Sequence, residues 1–145
     1  MKNEQGTAPE RPRTKIAVVL RDDLEKWQAA NVTAFLVSGL SSGDPDVIGQ
    51  EYRDADGVAY LPMFRQPVLV LSATADVLSA AHRRAVTRGM PLSVFTADLF
   101  ATDNDADNRA AVRAVGTDRL DLVGIALHGG RNQVDKVVKG TVMYR

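Results

Sequence analysis

Five consecutive apolar residues, Ile16 to Leu20, stand between Lys15 and Arg21. A strand that is apolar at every position, rather than at alternate ones, has to be covered on both faces. The chain therefore needs a sheet with a layer on either side, and Ile16 to Leu20 is expected at its centre. With 145 residues there is room for one such domain. A chain of that length buries roughly 68–70% of its unfolded surface, so its fold requires no metal or disulfide.

The rest of the chain supplies the layers. The opening MKNEQGTAPERPR has two prolines and little to bury, so residues 1–13 are expected to be a mobile tail ahead of one domain over 14–145. Val32, Phe35, Leu36, Gly39 and Leu40 fall at i, i+3, i+4, i+7 and i+8, the stripe of a helix packed on a sheet, with Asn31 as its N-cap and SSGDPD as its end. The following EYRDADGVAYLPMFRQP is rich in turn residues and predicts at most short strands. Val68 to Leu71 predicts a second buried strand, after which Thr74 caps a helix that Gly89 stops. Leu92 to Thr96 is a third strand, and a polar stretch leads to a short helix over 107–115. The ending LVGIAL, HGG, RNQVDKVVK, GTVMYR reads as strand, glycine turn, helix, strand. Alternating strands and amphipathic helices predict an α/β fold: three layers, α/β/α, around a mixed and mostly parallel sheet.

Composition excludes several chemistries. The chain has no cysteine, so thiolate nucleophiles, disulfides and cysteine-ligated metal centres are ruled out. Lys plus Arg equals Asp plus Glu at 18 each, which leaves no overall field to hold a nucleic acid or an anionic membrane. No apolar run reaches the roughly 20 residues of a bilayer span. The expected compartment is the cytoplasm, with neither cofactor nor metal.

The residues able to carry chemistry gather at predicted strand ends. In an open α/β sheet, ligands sit beyond the carboxyl ends of the strands. Arg21, Asp22 and Asp23 follow the first strand, Asp98 the third and His128 the last, so the expectation is either one shared pocket or, at residues 21–23, a salt-bridged surface turn. His128 is expected either as a general base, the usual role of a site histidine, or as a turn residue tolerant of unusual backbone angles. Gly129, Gly130 and Arg131 at a helix start can hold an anion, or the glycines serve only to let the helix pack close. Asp103, Asp105 and Asp107 imitate the start of a calcium loop, but Asn108 and Ala114 stand where Gly and Glu are needed, so a solvated helix N-terminus is expected. His82, Arg83, Arg84 and Arg88 form a basic cluster without interleaved aromatics, which reads as a solvated face. Trp27 is expected either to staple the first helix or to cover the pocket mouth.

The strand KIAVVLRDDL, the segment RGMPLSVF and the run GIALHGGRNQVDKVVKGTVMYR resemble three blocks of the type 2 peptidyl-tRNA hydrolases. QAANVTAFL, the Asp-Ala-Asp-Gly at 54–57 and GIALHGGRNQVDKV resemble more closely a family of the same superfamily, domain-of-unknown-function family 2000 (DUF2000), over Lys15 to Arg145. The resemblance implies a peptidyl-tRNA hydrolase type 2-like fold and a homodimer, with a small-molecule or aminoacyl-type substrate, tRNA among the candidates. The hydrolases carry a Gly-Lys-Gly-Lys segment at the first helix, and this chain aligns Asn31 with the functional lysine. An asparagine donates a hydrogen bond but supplies no charge to a phosphate or oxyanion. Two functions follow: a hydrolase or transferase acting on an ester or amide, with Asn31 as polarising donor and Asp98 or His128 as base, or a non-catalytic binding or assembly module.

Overall fold

The structure, a computed structural model, describes residues 12–145. The expected tail therefore lies outside the described residues apart from Pro12 and Arg13. The Arg13 carbonyl accepts a hydrogen bond from the Arg131 amide at 3.1 Å.

Strand β1 spans Thr14–Arg21 and is central, as its continuous apolar run demands. Helix α1 spans Lys26–Gly43, and the arm strands β2 and β3 cover Tyr52–Arg53 and Ala59–Tyr60. Next come β4 (Val68–Ala73), α2 (Ala75–Thr87), β5 (Leu92–Thr96) and α3 (Asp105–Arg113). The chain ends with β6 (Leu122–Gly130), α4 (Arg131–Val137) and β7 (Val142–Met143).

Five strands form one sheet in the order β5-β6-β1-β4-β7. Only β1 and β4 pair in parallel, so the expectation of a mostly parallel sheet is wrong. The main cause is one insertion, and β7 adds a further antiparallel pair at the edge of β4. β1, β4 and β5 all run the same way, as strand-helix-strand units require, but β6 enters between β5 and β1 in the opposite direction. Alternation of elements fixes neither strand order nor the direction of β6, which follows α3 yet runs against β5.

The strand period of two sorts the core. Ile16, Val18 and Leu20 face α1, whose Ala29, Val32, Leu36 and Leu40 are buried on them. Ala17 and Val19 face α2 and α4 through Leu78, Ala81, Val134 and Val137. All five residues from Ile16 to Leu20 are at most 1% exposed, and each buried Val, Leu or Ile contributes about 1.5–3 kcal/mol. Glycine sets how near α1 comes. A Cβ on Gly124 of β6 would stand 2.8 Å from Val32 Cγ1 and 3.0 Å from Leu36 Cδ1.

Two local expectations are corrected. Helix α1 begins five residues before Asn31, because Glu25 and Gln28 close a capping box: the Glu25 side chain accepts from the Gln28 amide, and the Glu25 amide donates to Gln28 Oε1 at 3.0 Å. The predicted glycine turn is absent. Gly129 and Gly130 continue β6 and pair with Lys15 and Thr14 of β1. The close-packing role holds for Gly129, where a Cβ would lie 3.3 Å from Met90 Cε and 3.7 Å from Val134 Cγ2.

Candidate functional site

Residues three and four apart share one flank of a helix, and Trp27, Asn31 and Phe35 stand on the outer flank of α1 at that spacing. Opposite them, β5 ends in Phe95, and the 3-10 turn Ala97–Ala101 carries Leu99 and Phe100. The rings meet in sequence: Trp27 lies 5.8 Å from Phe100 edge-on, Phe100 lies 5.1 Å from Phe95, and Phe95 lies 5.7 Å from Phe35 edge-on. These separations fall in the favoured range for aromatic pairs.

Between α1, β5 and α3, Phe35 and Phe95 of this wall bound a cleft of about 580 Å³ that includes Ser93, Asn108 and Arg109. It continues past Phe35 and Phe95 into about 470 Å³ beside Trp27, Asn31 and Thr102. The opposite end runs past Gly39 and Ser93 into about 590 Å³ reaching Asp44 and His128. The three cavities share lining residues and form one groove along α1.

Polar groups along it are already oriented. The Thr102 hydroxyl donates to Asn108 Oδ1, which aligns the Asn108 carboxamide. Asn104 caps α3 by accepting from the Asp107 amide at 2.8 Å, and Asp105 pairs with Arg109 at 2.9 Å. Asp105 and Asp107 thus occupy the helix start expected for them. Trp27 sits inside the first turn of α1 rather than at the staple position, and its indole N–H donates to Glu25 Oε2 at 2.8 Å. It is 59% exposed and lines the end of this groove rather than the mouth of the strand-end pocket expected from the sequence.

The expected convergence of Asn31, Asp98 and His128 is not what the structure brings together. β6 runs against β1 and β5, so His128 lies beside Ile16 at the opposite end of the sheet from Arg21 and Asp98. Its Nδ1 stands 3.5 Å from Asp44 Oδ2, and its Nε2 is buried without a partner. Asn31 lines the other end of the groove. Asp98 is exposed in the 3-10 turn and lines none of the three cavities.

Arg21 and Asp23 are engaged with each other. The Arg21 guanidinium donates to Asp23 at 2.7 Å, to Asp121 at 2.9 Å and to the Leu122 carbonyl at 3.0 Å, tying β1 to β6. The Asp23 hydrogen bond leads in raising the Arg21 pKa, so the cation is held. Arg131 Nη1 donates to the Pro12 carbonyl at 3.3 Å, and its amide is taken by Arg13. The basic cluster of α2 also divides. His82 is buried, Arg84 binds the carbonyls of Val137 and Lys139, and Arg83 and Arg88 remain exposed.

Residues 14–145 match the family described as protein of unknown function (DUF2000). The chain belongs to this family. A solved relative, a protein of unknown function from Agrobacterium tumefaciens, shares 40% identity with a TM-score of 0.91, over 93% of this chain and all of that one. No curated protein matches. The DUF2000 match covers every strand of the sheet and the whole groove, so the site belongs to the family domain rather than to an appended segment. In this DUF2000 chain the groove residues that sequence reasoning missed are Phe35, Phe95, Phe100 and Asn108. Their signal was present in part: four of only eight aromatic residues (Trp 1, Tyr 3, Phe 4) meet here. The pairing of β5 with α1 that unites them was not readable from spacing.

Proposed function

We propose that this DUF2000 chain is a small-molecule-binding domain on a type 2 peptidyl-tRNA hydrolase-like fold. Its groove takes a planar, largely apolar ligand bearing an amide or ester. The carrying observation is the linked wall of Trp27, Phe100, Phe95 and Phe35 along a cavity of about 470 Å³, which Phe35 and Phe95 join to a cleft of about 580 Å³. Each volume lies within the roughly 300–1,000 Å³ of small-molecule sites. Rings on the wall stack a planar ligand, and the carboxamides of Asn31 and Asn108 offer donors to its carbonyl. The superfamily relation is supported by the three resembling segments, which fall on β1, on the α2–β5 stretch and on β6 through β7.

Binding without turnover is favoured over hydrolysis. Asn31 stands where the hydrolases carry lysine, His128 occupies the far end of the groove, and the carboxylates that share the Asn31 cavity are engaged, Asp105 with Arg109 and Asp103 with Asn104. One experiment separates the readings. The full chain is titrated with 4-nitrobenzamide while amide chemical shifts are followed. The same preparation is assayed for aminoacyl release from peptidyl-tRNA beside a lysine-containing superfamily member. Shifts confined to Trp27, Asn31, Phe35 and Asn108, with no release above the blank, are expected. Release at the rate of the reference enzyme would overturn the binding reading.

A further inference from the structure

Glu51 to Tyr60 are exposed at every position, and β2 and β3 pair only with each other. A two-stranded hairpin alone is marginal in water. This one is nevertheless closely specified. Asp54 Oδ1 accepts from the amides of Asp56 and Val58 at 3.0 Å, Gly57 takes φ +86, and the Tyr60 hydroxyl donates to Asp54 Oδ2 at 2.7 Å. Its side chains are those of an interface rather than a solvated loop. Tyr52 and Tyr60 stand directly opposite each other, at 50% and 52% exposure, and Val58, just before β3, is equally exposed. Leu61 is 84% exposed and Met63 57%.

At the base of this arm lies a cleft of about 650 Å³ lined by Ile48, Tyr52, Met63, Phe64 and Arg65 among others. Arm and cleft are adjacent on one surface, which an isologous contact about a two-fold axis requires. Their free charges are opposite. Asp56 at the arm tip and Arg65 at the cleft are both exposed and form no ion pair among the described residues. A standard interface draws roughly 20–30 residues a side, and the continuous segment 48–65 approaches the lower end by itself.

We infer that two copies of this chain exchange these arms, each seating its tip in the other's cleft with Asp56 against Arg65. The ligand groove is lined by none of the same residues, so the dimer is independent of the function proposed above. The test is light scattering on the full chain at 10–100 μM, with the exchange of residues 52–60 amide hydrogens measured across the same range. The expected mass is twice 15.7 kDa, with arm exchange slowing as concentration rises. Arg65→Glu is expected to weaken the dimer at least tenfold, and adding Asp56→Arg is expected to restore it. Leu61→Arg is expected to give a folded single-chain species with unchanged circular dichroism, since the residue is 84% exposed in its own chain. A single-chain mass for the wild type at 100 μM would overturn the inference, as would an undiminished dimer in Leu61→Arg, or a failure of Asp56→Arg to rescue Arg65→Glu.

Discussion

At the scale of single residues, close approach and burial decide the sharpest consequences. Gly124 is needed because α1 rests on β6 there, and a methyl group meets Val32 and Leu36 inside van der Waals distance. Gly124→Ala is expected to lower unfolding free energy by about 1–3 kcal/mol in urea titration, the usual cost of overpacking. His82 sets a pH dependence. Burial is the main cause lowering its pKa from the ordinary 6.5, partly offset by the charge of Asp118 and reinforced by that of Arg83. The unfolded chain thus gains this proton near pH 6.5 while the folded chain resists it to lower pH, so stability falls as pH drops from about 6.5. Melting temperatures at pH 7, 6 and 5 are expected to decline, and the His82→Gln variant to decline less. His82 was grouped in sequence with the arginines beside it. Helical spacing separates it from Arg83 by about 100° and puts it on the core face with Leu78, Ala81 and Ala85.

At the scale of elements, the termini of helices show both what the sequence states and what it withholds. Thr74 caps α2 and Gly89 ends it with φ +66, as local chemistry dictates. The start of α1 was misplaced because the apolar stripe legible in the sequence begins at Val32, whereas the capping box lies at Glu25 and Gln28, upstream of the first buried residue, Ala29. Helix α4 is too short to persist alone, and tertiary contacts hold its end. Arg84 of α2 donates twice to the Val137 carbonyl, at 3.0 and 2.8 Å, and once to Lys139 at 3.0 Å. Arg84→Met is expected to cost about 1.5–3 kcal/mol, the range for hydrogen bonds from a charged group, and to speed amide exchange in residues 134–141. Strand identity was legible from apolar runs. Strand order was not, because the insertion of β6 between β5 and β1 depends on contacts between residues 92–96 and 122–127 that no local pattern encodes.

For the whole molecule, that one insertion also governs the site. A parallel arrangement would have gathered Asp98, His128 and Arg21 at one edge; the antiparallel β6 carries His128 to the other. The scaffold was readable because burial on two faces leaves its mark in β1. The groove was not, since its wall comes from α1, β5 and the following 3-10 turn, which meet only in the fold. The most direct test of ligand binding uses the chain's single tryptophan, Trp27, at the end of the groove. Its emission is followed as 4-nitrobenzamide is added to the wild type and to Asn31→Ala and Asp98→Ala variants. Saturable quenching is predicted, about 2–10-fold weaker in Asn31→Ala for the loss of one hydrogen bond and unchanged in Asp98→Ala. Quenching that rises linearly without saturation, and identically in all three proteins, would contradict the account.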